Sequence, residues 1–147
     1  MPTIVDSPNA IELAARLRRT VVRLSRQLRR HSASGLSPSL DSALGVIGRR
    51  GPLSPSELAE IEDVRRPTAT RLIAILERRG LVDRSADQAD RRSHRVAVTE
   101  AGRALLIESR TRRNAYLGQA LVALDADELA ALDRGLALLE RLVESGR

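Results

Sequence analysis

Cysteine, tryptophan, phenylalanine and lysine are all missing from this 147-residue chain. Without cysteine there can be no disulfide, no zinc ribbon, no cysteine nucleophile and no thiol redox sensing. Nor is there any bridge that would speak for secretion. Tyr116 is the single aromatic residue, so Leu, Val, Ile and Ala must build the core. Long apolar runs are absent as well: stretches such as Ala120–Leu124 are far too short to span a bilayer. Met1 to Asp6 lack a basic segment followed by an apolar one, so no signal peptide is expected. A soluble cytoplasmic protein with no membrane partner is the expectation. No Gly-rich phosphate loop, no G-x-S-x-G and no His or Cys arrangement for nucleophilic catalysis occurs, which speaks against an enzyme. His31 and His94 are the only histidines and lie far apart, so neither a metal site nor a cofactor is expected.

What is present is apolar material for a core, 42% of the residues, and 30% charged residues. The length suits one domain, or one compact unit that dimerises. All 25 cationic residues are Arg, against 19 acids, for a net charge of +6. That balance, with a pI near 11.3, favours a polyanionic partner, nucleic acid above all. A GC-rich coding sequence equally accounts for the choice of Arg over Lys.

Periodicity gives the order of elements. Ala10, Ala14, Leu17, Val21, Leu24 and Leu28 step by helical intervals, after a loose arm over residues 1–8. Seven arginines from Arg16 to Arg30 share this helix, and a solvated face explains them as well as a DNA contact does. Ser37-Pro38 reads as an N-cap and first helical position, before a helix with Leu40, Ala43, Leu44 and Ile47 that ends at Gly48 or Gly51. Ser54-Pro55-Ser56-Glu57 is a capping box, and Leu58, Ala59 and Ile61 are expected to face inward. The next helix starts near Arg66-Pro67, carries Leu72, Ile73, Ile75 and Leu76, and stops at Gly80. Leu81–Arg84 and Arg95–Thr99 read as two strands joined by a charged turn. Thr99 then caps a long helix, and Asp125 to Glu128 cap a last one with Leu129, Leu132, Leu136, Leu139 and Val143 on its seam.

Residues 37–99 thus form a winged helix-turn-helix. The helical seams over 9–32 and 100–145 are left over, and pairing with a second copy is the economical way to cover them. The whole, 1–147, is expected to be mostly α with a small β-wing. Leu72, Ile73 and Leu76 point inward, which leaves Pro67, Thr68, Thr70, Arg71 and Ala74 at the outer face of the second helix of the motif. Arg can bind guanine O6 and N7 bidentately, and a Thr methyl can touch thymine. The turn carries Arg91 and Arg92, which suit the narrow minor groove, while Asp90 pairs with Arg92 so that Arg91 projects. Solvated surface and a solubilising turn are the plain alternatives. Arg65–Arg95 is +5, whereas Asp125–Arg147 is −3, so the positive charge lies on the reading unit.

The ordered set Leu53-Ser54-Pro55-Ser56-Glu57-Leu58-Ala59, Arg66–Leu72, Leu76–Arg84, Asp90-Arg91-Arg92-Ser93 and Val98–Arg103 resembles the MarR family of bacterial transcriptional regulators. The resemblance covers nearly the whole chain. It implies a homodimer whose terminal helices form the interface and whose two recognition helices read a pseudo-palindrome. By position, Pro67, Thr68 and Arg71 match the residues that meet DNA, Arg91 the minor-groove residue of the wing, and Asp90 with Arg92 the pair that braces it. Arg66 and Thr70 join them on geometry. Most members are repressors released by a small ligand; effector residues here stay unknown, and Tyr116 is as well read as an ordinary half-buried tyrosine. A low-specificity architectural DNA binder and a winged-helix protein-interaction adaptor are the alternatives.

Overall fold

The computed structural model describes residues 8–32, 34–86 and 94–145. Its elements run α1 (Pro8–Arg30), α2 (Pro38–Arg50), α3 (Pro55–Ile61), α4 (Arg66–Arg78), β1 (Val82–Ala86), β2 (His94–Val98), α5 (Glu100–Leu121) and α6 (Ala126–Ser145). The order is the one the periodicity predicts. The chain divides into two compact units, one up to Arg113 and one from Asn114, with the boundary inside α5.

The first unit holds the core. Leu44 and Ile47 of α2, Leu58 of α3, Ile73 and Leu76 of α4, Val82 of β1 and Val96 of β2 are all essentially inaccessible. Each such aliphatic side chain contributes about 1.5–3 kcal/mol on burial. Leu105 and Leu106 of α5 pack partly against this cluster. Ile61 does not join it: at 38% exposure it ends α3 in solvent, against the expectation from its spacing. Leu58 and Ile61 are three apart and share a face, but Ile61 is the last residue of α3, where the chain turns away through Glu62 and Asp63.

The turns are fixed by local chemistry. Ser54 and Glu57 complete the capping box: the Glu57 N–H donates to Ser54 Oγ at 3.2 Å, and the Ser54 N–H donates to Glu57 Oε2 at 2.6 Å. Between α3 and α4 the chain turns through Asp63 at φ 51°, and the Val64 N–H reaches back to the Ala59 carbonyl at 3.0 Å. Gly80, at φ 69°, closes α4 in the same way, with the Leu81 N–H on the Leu76 carbonyl at 3.0 Å. That positive φ is what glycine tolerates. Ser37 precedes Pro38 but makes no side-chain cap, so proline's fixed φ alone starts α2. Gly51, not Gly48, closes α2.

β1 and β2 pair antiparallel, with Arg84 opposite Val96 and Ser85 opposite Arg95. Leu53 adds a third, single-residue rung by exchanging both backbone hydrogen bonds with Val96. This rung escapes a periodicity reading, since one residue has no period. Thr99 stitches α5 to the α4–β1 turn: its hydroxyl donates to the Gly80 carbonyl at 2.6 Å and accepts from the Gly102 N–H at 3.0 Å. At the other end of this unit, Arg113 Nη2 donates to Asp41 Oδ2 at 2.6 Å and to Ser32 Oγ at 3.0 Å, tying α5 to α2 and to the α1–α2 loop.

The second unit is the end of α5 and α6. Asp125 and Glu128 form a reciprocal cap at the start of α6, as expected. No residue of α6 is buried. Tyr116, Leu117, Leu124 and Leu139 are only half-buried. No described helix is long and apolar enough to cross a membrane.

Candidate nucleic-acid interface

α4 begins at Arg66 without a side-chain cap and without an acid in its first turn. α1 likewise has no acid there, whereas α2, α3, α5 and α6 each carry one. Pro67 has no N–H and the Thr68 and Ala69 N–H groups donate to the Arg65 carbonyl at 2.9 and 3.2 Å, so this start offers an anion the Arg66 N–H and the positive dipole end. Arg65 and Arg66 flank it, both exposed.

The inner face of α4 is Ala69, Leu72, Ile73 and Leu76, all buried. They fix the helix on α2 and α3, so that its outer face is held rigidly. Arg66, Pro67, Thr68, Thr70 and Arg71 are all exposed and cluster within the first turn and a half, while Ala74 is half-buried. Thr70 donates its hydroxyl to the Arg66 carbonyl at 3.0 Å. Its hydroxyl proton is therefore committed to its own helix, which leaves the hydroxyl oxygen as an acceptor and the methyl to present. The sequence-derived face of α4 is thus brought together on one surface. Asp90, Arg91 and Arg92 lie outside the described residues, as does the rest of the turn over 87–93.

The base of the hairpin is well defined and shows two contacts that sequence reasoning missed. Arg95 Nη1 on β2 donates to Glu57 Oε2 at 2.8 Å, the same oxygen that caps α3. Hydrogen bonds from the Ser54 backbone and side chain, chiefly, and then the Arg95 charge hold the Glu57 carboxyl below its ordinary pKa. On β1, Arg84 Nε stands 3.0 Å from Glu77 Oε2, an ion pair whose N–H is not aimed at the oxygen. Glu77 lies in the last turn of α4, where an acid is disfavoured by the helix dipole. That misplaced acid was the available signal for a partner. No cluster of three or more His, Asp or Glu that could hold a metal occurs among the described residues.

A MarR family profile matches residues 36–94, the span from the α1–α2 loop to the start of β2. A helix-turn-helix transcriptional regulator of Mycobacterium bovis is 39% identical over 133 residues, 90% of this chain and 93% of that protein. The chain belongs to the MarR family of transcriptional regulators. A MarR family protein from Bacillus stearothermophilus shares the fold at a TM-score of 0.81 with 25% identity, covering 92% of this chain and 96% of that one. The fold is also that of FabT from Streptococcus pneumoniae, solved in complex with DNA, at a TM-score of 0.69 and 23% identity over 92% and 95% of the two chains. MarR membership makes the protein a regulator rather than an enzyme. It also identifies α3 and α4 as the helix-turn-helix and β1–β2 as the wing of a winged helix.

Proposed function

We propose that this MarR-family regulator binds a pseudo-palindromic operator as a homodimer. The observation that carries the reading is the outer face of α4, where Arg66, Pro67, Thr68, Thr70 and Arg71 stand exposed around a helix start free of acids. In this reading α4 enters the major groove and α3 crosses the backbone. Arg71 contacts a guanine edge, and the Thr68 and Thr70 methyls contact thymine. Arg66 binds phosphate through its guanidinium and its backbone N–H at the positive end of α4. Arg91 enters the flanking minor groove, braced by Asp90 and Arg92.

The uncovered apolar faces support the dimer. α1 exposes Ile11, Leu13, Val21, Val22 and Leu24, and α6 exposes Leu129, Leu132, Leu136, Leu142 and Val143. The unit from Asn114 onward is too short to build a core of its own, below about 40 residues, and α6 buries nothing. Residues 9–32 and 100–145 are therefore assigned to the interface with a second copy. A repressor released by a small effector fits this architecture. A cleft of about 290 Å³ lined by Leu28, Arg29, Asp41 and Arg113, among others, is the candidate place for such a ligand. The site of action is the cytoplasm.

Selection of bound fragments from random duplex DNA at physiological salt tests the reading. Recovery of an inverted repeat supports it. Uniform retention that vanishes as salt rises indicates an architectural binder, and no retention even at low salt indicates a protein adaptor.

A further inference from the structure

Phosphate-facing surfaces are usually cleared of acids, because each carboxylate repels the backbone it approaches. The segment from Ser54 to Arg95 nevertheless places Glu57 and Glu77 at the two helices of the reading motif. Both are exposed to nearly half their side-chain area, and each meets an arginine of the wing. Glu57 reaches Arg95 on β2 at 2.8 Å, across 38 positions of sequence. Glu77 reaches Arg84 on β1 at 3.0 Å.

The register of the hairpin gives the two contacts their sense. Directly opposed residues share a face of a sheet and successive residues alternate. Arg84 lies opposite Val96 and so shares the inner face, with buried Val82 and Val96. Arg95 lies opposite Ser85 and takes the other face. One ion pair therefore holds the hairpin from each face, β1 to the end of α4 and β2 to the start of α3. We infer that Glu57 and Glu77 are positioning residues that set the angle of the wing against the recognition helix, so that both reach DNA in register.

The inference rests on the DNA-reading proposal and makes a signed prediction. Simple electrostatics says that Glu57→Gln and Glu77→Gln, each removing a negative charge near phosphate, tighten DNA binding. Positioning says that they weaken it. Gln at position 57 still accepts the Ser54 N–H, so α3 keeps its cap. Exposed pairs of this kind contribute little to folding, so Tm moves by less than about 4 °C.

The test uses the full-length protein and a duplex that the wild type enriches from a random pool. Affinity is read by anisotropy, and contacts by hydroxyl-radical and dimethyl sulfate footprinting. Each Gln variant is expected to bind about threefold or more weakly. It should lose protection in the minor groove beside each half-site and keep the guanine protections of the major groove. Equal or tighter binding with an unchanged footprint overturns the inference, as does a uniform loss of all protections together with a large fall in Tm. A wild-type protein that protects no duplex overturns the DNA reading, and this inference with it. A wild-type footprint that the variants keep sinks the positioning role alone.

Discussion

Arg71 and Thr70 are neighbours on α4 with different work to do. The Thr70 hydroxyl proton is committed to the Arg66 carbonyl, whereas the Arg71 guanidinium projects from an exposed position on the same helix. In the proposed reading, Arg71→Ala costs about 1–3 kcal/mol of binding and relaxes preference at one base pair per half-site. Competition titrations against duplexes mutated at each position check this, and an unchanged preference profile would remove Arg71 from the reading set. The exposed face of α4 was legible because Ala69, Leu72, Ile73 and Leu76 repeat at helical spacing, and burying them fixes what faces outward. The Glu57–Arg95 contact was not legible. Position 57 is fully explained by its local cap, so nothing in the sequence asks for a second partner 38 residues away.

Two glycines decide how closely α5 approaches the winged helix. A Cβ at Gly102 would fall on the backbone carbonyl oxygen of Leu81, which cannot move without shifting β1. A Cβ at Gly48 would touch Val98 Cγ1 at an ordinary 3.9 Å and crowd the Cδ1 end of Leu106, a side chain able to rotate away. Gly102→Ala should therefore cost about 3 kcal/mol through overpacking. Gly48→Ala should stay within about 1 kcal/mol of wild type, because alanine's gain in the middle of α2 offsets the crowding. Urea unfolding of the two variants separates these outcomes, and equal losses would contradict the packing argument. All eight elements were readable from caps, periodicity and turn residues. The Leu53–Val96 rung and the exposure of Ile61 were not. The first is a single long-range contact, and the second depends on where a two-turn helix happens to stop.

For the whole molecule, the apolar faces left in solvent weigh most. Leu136 stands 48% exposed in the middle of an α6 that buries no residue of its own. Burial of such a leucine is worth about 1.5–3 kcal/mol, and a two-fold interface counts it twice. In the proposed homodimer, Leu136→Glu should therefore raise the Kd at least about 100-fold. Sedimentation would show a shift towards monomer with helix content kept, and an unchanged dimer would place the interface elsewhere. The seams on the terminal helices were visible in the sequence. Pairing with a second copy is the economical way to cover them, although periodicity itself shows that a face is apolar without naming its partner. If a rigid two-fold dimer carries two copies of α4, their spacing matches one turn of B-DNA, about 34 Å. Inserting one base pair between the half-sites of the selected duplex rotates one half-site by roughly 34° against the other. Equilibrium binding to the two duplexes is the most direct test of the account. It predicts at least a tenfold loss of affinity on insertion, whereas equal affinity for both would contradict a rigid dimeric reader.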